Sequence, residues 1–164
     1  MAESSNTKMK KVIVIGVDSS SESLHSLEWT LDNLIPTCES LFKLVLIHVK
    51  IQALSVLRFA GPGVGDVVSL VETDLKKTAT LVTEKVKEIC DKRSFLDYKQ
   101  EVMEGDARNV LCEAVDKHNA DILVVGSHGY GAFKRVILGS VSDYCAHHAN
   151  CSVLIVKKPK IAAR

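Results

Sequence analysis

The stretch DILVVGSHGYGAFKRVILGSVSD, residues 121–143, decides the fold. It opens with a continuous apolar run, residues 121–125, that is too short for a helix and breaks at Gly126, which predicts a buried strand. Ser140-Val141-Ser142-Asp143 then has the spacing of a capping box and predicts a short helix with Val141, Tyr144, Cys145 and His148 on its inner face. Between the two lies a glycine-rich connection. A strand that is apolar at every position has both faces covered, which is the property of parallel sheets with helices on either side.

Working outward, the same unit recurs. Residues 11–18 hold Val12, Ile13, Val14, Ile15 and Val17, a β-branched run that reads as a strand. A capping-box pattern follows at Ser19-Ser20-Ser21-Glu22, with Ser19 as the cap of a helix that carries Leu24, Leu27, Leu31 and Leu34 and stops at Pro36. Residues 44–49 predict a second strand. A long connection with Gly61, Pro62, Gly63 and Gly65 leads to Asp66 as N-cap of a long helix, whose inner face is Val67, Val71, Leu75, Ala79, Val82, Val86 and Ile89. Residues 98–103 alternate less cleanly and predict a more exposed strand. Asp106 caps a helix with Ala107, Val110, Leu111, Ala114 and Val115 inward, and residues 152–156 form the last strand. Strands alternating with helices, joined by right-handed crossovers, give an α/β doubly wound parallel sheet. Ligands in such folds bind at the carboxyl ends of the strands, which directs attention to Asp18, His48, Val49, Gly105 and the residues from Gly126 onward.

Composition bounds the function. The 164 residues are 46% hydrophobic and 25% charged with a net charge of +1, values expected of one globular domain over residues 1–164, with a core at about 11–158 behind a polar tail, 1–10. That charge supplies no basic field for nucleic acid. No apolar run reaches the ~18–20 residues of a membrane span, and no secretory signal is read at the start. Five cysteines without a C-x-x-C pair suit a reducing compartment. The expectation is a cytoplasmic protein, with the nucleus or a membrane periphery reached only through partners.

Glycines between a strand end and a helix start leave backbone N–H groups open, and such a loop can cradle phosphate oxygens, with the Ser140 and Ser142 hydroxyls as further donors. Taken singly, each glycine also fits a plain tight turn. Neither G-x-x-x-x-G-K-[ST] nor G-x-G-x-x-G occurs, which disfavours P-loop NTPases and Rossmann dehydrogenases. What does occur is G-x2-G-x9-G-[ST], met by Gly126, Gly129, Gly139 and Ser140.

With that pattern, and with Gly16-Val17-Asp18, Leu46-Ile47-His48-Val49, Glu104-Gly105-Asp106 and Gly139-Ser140-Val141-Ser142, the chain resembles the ATP-binding class of the universal stress protein family over residues 11–158, in the style of its small single-domain plant members. The resemblance implies an adenine nucleotide α-hydrolase-like fold with five parallel strands in the order 3-2-1-4-5. It implies ATP, AMP or another adenine nucleotide as ligand, with Mg²⁺. Asp18 would meet the ribose or the metal, beside Val17; the backbone at Val49 would read the adenine edge. Val125, Gly126, Ser127, His128, Gly129, Gly139, Ser140, Val141 and Ser142 would hold ribose and phosphates. A homodimer through the edge strand 152–156 is implied as well.

Other chemistries fit less well. Cys145, His147, His148 and Cys151 lie close in sequence but lack a zinc framework. No serine sits in G-x-S-x-G. A phosphoacceptor domain wants an acidic pair after its first strand, where only Asp18 stands, and efficient phosphoryl transfer wants clustered carboxylates that Asp18 and a distant Asp106 do not supply. No catalytic residue is therefore assigned. The expectation is a nucleotide-dependent regulatory or stress-response module, with a chaperone-like interaction module or a slow ATPase or phosphotransferase as the alternatives.

Overall fold

Nine elements follow from those patterns in a computed structural model, which describes residues 9–36, 41–53, 55, 65–128 and 138–159. They are β1 (Lys11–Gly16), α1 (Ser21–Asn33), β2 (Phe42–Lys50), α2 (Gly65–Asp91), β3 (Tyr98–Glu104), α3 (Ala107–His118), β4 (Ile122–Gly126), α4 (Ser140–His148) and β5 (Ser152–Val156). The strands pair in parallel in the order β3-β2-β1-β4-β5, as the resemblance implied. Winding reverses between β1 and β4, where Ile13 lies opposite Ile122 and Ile15 opposite Val124. The weakly alternating β3 is an edge strand, and its Val102 is half exposed.

The doubly apolar strands divide the interior in two. On one face Ile13, Ile15, Leu44, Leu46 and Val124 pack with Leu27 and Leu31 of α1 and Val82, Val86 and Cys90 of α2. On the other, Val14, Val45, Ile47, Leu123 and Val125 pack with Val110, Leu111, Ala114 and Val115 of α3 and Cys145 of α4. Asp106 caps α3 as expected, accepting from the Arg108 N–H at 2.9 Å. Gly105 precedes it at φ +145, a conformation glycine alone adopts easily.

Several expectations need correction. β1 ends at Gly16, so Val17 and Asp18 leave the ladder after a last bond from Val17 N–H to the Ile47 carbonyl, 2.8 Å. The cap of α1 is Ser20 and not Ser19; its hydroxyl oxygen accepts from Ser23 N–H. Asp66 lies inside the first turn of α2, because that helix begins one residue earlier. The first buried residue of α2 is Ala79, and Val67 is 46% exposed, because the four-residue spacing from Ala79 back to Val67 drifts around the helix and carries Val67 off the core side. In α4 the N-cap is Gly139, with no side-chain cap bond, and Ser140 is the first helical residue. His148 points outward, stacked on the Tyr144 ring at 3.9 Å.

Candidate functional site

The switch point gathers three chain segments at the carboxyl end of the sheet. The first is the turn after β1. Asp18 Oδ1 accepts from Ser20 N–H at 2.8 Å, from the Ser20 hydroxyl, and from the Ser23 hydroxyl at 2.7 Å, while Asp18 N–H donates to Ser23 Oγ at 3.0 Å. Ser20 and Ser23 are both buried. This serine clamp fixes the carboxylate through one oxygen, and none of the described hydrogen bonds uses Oδ2.

The second segment is the end of β2. His48 is 7% exposed and its Nδ1 lies 3.0 Å from the Val17 carbonyl. A carbonyl only accepts, so Nδ1 carries the proton. This bond ties the turn holding Asp18 to β2. The last β1–β2 partners are Gly16 and Ile47. Backbone groups of alternate strand residues point the same way, so Val49 turns its N–H and C=O toward the side from which β1 has already departed.

The third segment follows β4. Gly126 sits against the start of α1: a Cβ there would lie 2.9 Å from the Glu22 carbonyl carbon and 3.1 Å from Ser23 N. Ser127 is 5% exposed; its N–H donates to the Val156 carbonyl at 3.0 Å. Its own carbonyl accepts from Gly139 N–H at 2.7 Å and from the Ser142 hydroxyl at 3.1 Å. The Ser142 hydroxyl also reaches the Gly139 carbonyl at 2.9 Å, so its proton is held within the protein. Ser127 Oγ and His128 Nδ1 are 3.1 Å apart. Val125 belongs to the core beneath, Val141 packs beside it, Ser140 is exposed, and Gly129 lies outside the described residues.

The expected site residues thus converge, apart from Gly129, although Ser127 and Ser142 turn their hydroxyls to framework bonds. Ser20, Ser23 and Glu22 were missed as site builders. The signal for them was the serine run directly after the first strand, which reads equally as a bare helix cap.

Two ion pairs, Lys50–Glu104 and Arg108–Asp106, stand at this end of the sheet. Asp106 is committed: hydrogen bonding from the Arg108 guanidinium holds its carboxyl below the usual range. Among the described residues no three His, Cys, Asp or Glu side chains are placed to hold a metal. Three donors already occupy Asp18 Oδ1, so a cation meeting this carboxylate would be held through Oδ2. The cysteines stand apart from this chemistry, since burial pushes the Cys145 thiol up to about 12 and Cys90 to about 11.

A doubly wound α/β protein with its switch point between β1 and β4 is the class these features define. The family model described as the universal stress protein family matches residues 9–157, and the chain belongs to that family. "Universal stress protein A-like protein" of Arabidopsis thaliana is 30% identical over 139 residues, 80% of this chain and 75% of the relative. The fold matches that of universal stress protein UspA from Lactobacillus plantarum, with TM-score 0.74 at 20% identity over 90% of this chain and 98% of that one. It also matches a universal stress protein family protein of Arabidopsis thaliana with AMP bound, with TM-score 0.64 at 24% identity over 93% and 94% of the two chains. No helix among the described residues is long and apolar enough to cross a membrane.

Proposed function

We propose that this chain binds an adenine nucleotide in the switch-point crevice and acts as a nucleotide-dependent regulatory module. The observation that carries the reading is the start of α4: Gly139 gives it no side-chain cap, so its first N–H groups are left for an anion, at the same end of the sheet as the clamped Asp18. The AMP in the Arabidopsis structure of the same fold supports that ligand class.

In this reading the outward backbone of Val49 meets the adenine edge, and Asp18, with Val17 behind it, accepts from ribose hydroxyls through Oδ2. Gly126, Gly139, Ser140, Val141 and the loop glycine Gly129 offer backbone donors to the phosphates. Val125, Ser127 and Ser142 hold that frame, and His128 stands at its mouth. Mg²⁺ would arrive with the phosphates of ATP, supplying charge neutralisation there. Asp18 is tied to Ser20 and Ser23 instead of being poised to take a proton, which supports binding without efficient turnover. The functional unit is a single domain, paired with a second copy along the β5 edge.

Thermal unfolding with AMP or ATP, each in Mg²⁺ and in EDTA, tests this. Ligand at 100 times Kd is expected to add about 2.7 kcal/mol. The shift should vanish in Gly139→Val, and AMP should act equally with or without Mg²⁺. A protein that is free of nucleotide by acid extraction and still shows no shift would overturn the reading.

A further inference from the structure

The helix α2 presents a second face that the core does not use. Its buried residues Ala79, Val82, Val86 and Cys90 define one side. Roughly 150° around the axis, at about 100° per residue, runs another series at alternating spacings of three and four: Val67, Leu70, Asp74, Lys77, Leu81 and Glu84. Every member is exposed, Leu70 by 68% and Leu81 by 57%. This is the a/d repeat of a coiled coil seam, on a helix that already rests on the sheet by its opposite side.

The charges on that seam name its occupant. A parallel copy would set Asp74 on Asp74 and Lys77 on Lys77. An antiparallel copy, with the two-fold axis between Leu75 and Lys76, instead sets Leu70 on Leu81, Asp74 on Lys77 and Val67 on the aliphatic stem of Glu84. Each contact occurs twice. On the flank of the seam, Asp66 comes within reach of Lys87 of the second copy. Among the described residues, Asp66, Asp74, Lys77 and Lys87 make no ion pair within the chain.

We propose that a second copy of this chain docks on the outer face of α2, antiparallel, through this seam. The central Asp74–Lys77 pairs set direction and register, as polar seam residues do. Two leucine pairs along about 30 Å of helix make a small interface, so the association is weak and concentration-dependent. It is separate from the β5 edge, and a chain using both surfaces would build assemblies larger than a dimer.

Sedimentation velocity of the full chain up to about 1 mM reads the association. Asp74→Lys alone places like charges together and is expected to weaken it about tenfold or more; adding Lys77→Asp to the same chain should restore it. Chains carrying Leu70→Cys mixed with chains carrying Leu81→Cys should cross-link as the mixed disulfide under mild oxidation, identified by peptide mass spectrometry, while neither alone cross-links through its new cysteine. All four side chains are solvent-exposed, so the variants are expected to fold. No self-association at the highest concentration would overturn the proposal. So would association indifferent to the charge exchange, or a disulfide joining two chains that both carry Leu70→Cys through the introduced thiols.

Discussion

Two helices on opposite faces of the sheet both begin at its carboxyl end from serine-containing sequence, and they end up opposite in chemistry. The start of α1 follows Ser-Ser-Ser-Glu and closes on itself: Ser20 caps it, Asp18 locks Ser20 and Ser23, and the backbone of Gly126 covers its first turn. The start of α4 follows Gly-Ser-Val-Ser-Asp and stays open, because the residue in the cap position is Gly139 and the nearby Ser142 hydroxyl donates backward to the Ser127 and Gly139 carbonyls. A helix terminus becomes scaffold or binding surface according to one residue at the cap, and serine content alone does not distinguish the two.

The largest expected effect comes from breaking the closed end. Gly126→Val would press a side chain into the Glu22 backbone, with its Cβ 3.0 Å from the Glu22 oxygen, and should lower unfolding free energy by about 3 kcal/mol in a denaturant titration. Ser23→Ala removes the clamp without adding volume. It leaves the Asp18 amide and carboxylate short of one partner each and should cost about 1–2 kcal/mol, with AMP affinity falling as Asp18 loosens. Calorimetric binding by a variant that is destabilised but fully active would show that the clamp serves stability alone.

A control lies away from both helix starts. Glu101 on β3 has a side chain only 11% exposed, and hydrogen bonds from Lys117 and Lys99, with His118 close by, hold its carboxyl down at about 2. The folded value lies below the ordinary 4.5, so the stabilisation is complete above about pH 4.5 and is lost as pH falls toward 2. The stability difference between wild type and Glu101→Gln should shrink over that window, and nucleotide binding at neutral pH should not change. The smallest stability change and the sharpest test of the comparison is Gly139→Asp, which closes the open end. The backbone there, φ −73 and ψ 158, suits any residue. Stability should rise by a few tenths of a kcal/mol, while a carboxylate in the phosphate position should weaken AMP binding at least about tenfold.

Sequence patterns carried most of the fold because continuous β-branched runs such as Val12–Ile15 admit few alternatives, and because the helices between them are too regular to be loops. The site was legible where chemistry demands a residue type, as at Asp18, Gly126 and Gly139. It was not legible where the choice is geometric. Three consecutive serines leave the cap undecided until the position of Asp18 selects Ser20. In α2 the four-residue spacing Val67, Val71, Leu75, Ala79 drifts about 40° per step around the axis, so over a helix of 27 residues a series that starts on the core side at Ala79 has reached the outer face by Val67.

The Ser127 carbonyl, bonded at once to Gly139 N–H and the Ser142 hydroxyl, acts as a rivet at the mouth of residues 128–138. Both residues that flank the connection are thereby fastened to each other, and Ser127 N–H is fastened in turn to the β5 carbonyl of Val156. The frame on either side of the connection is therefore a property of Ser127, Gly139 and Ser142 themselves, so it is inherited with those three residues whatever sequence joins them.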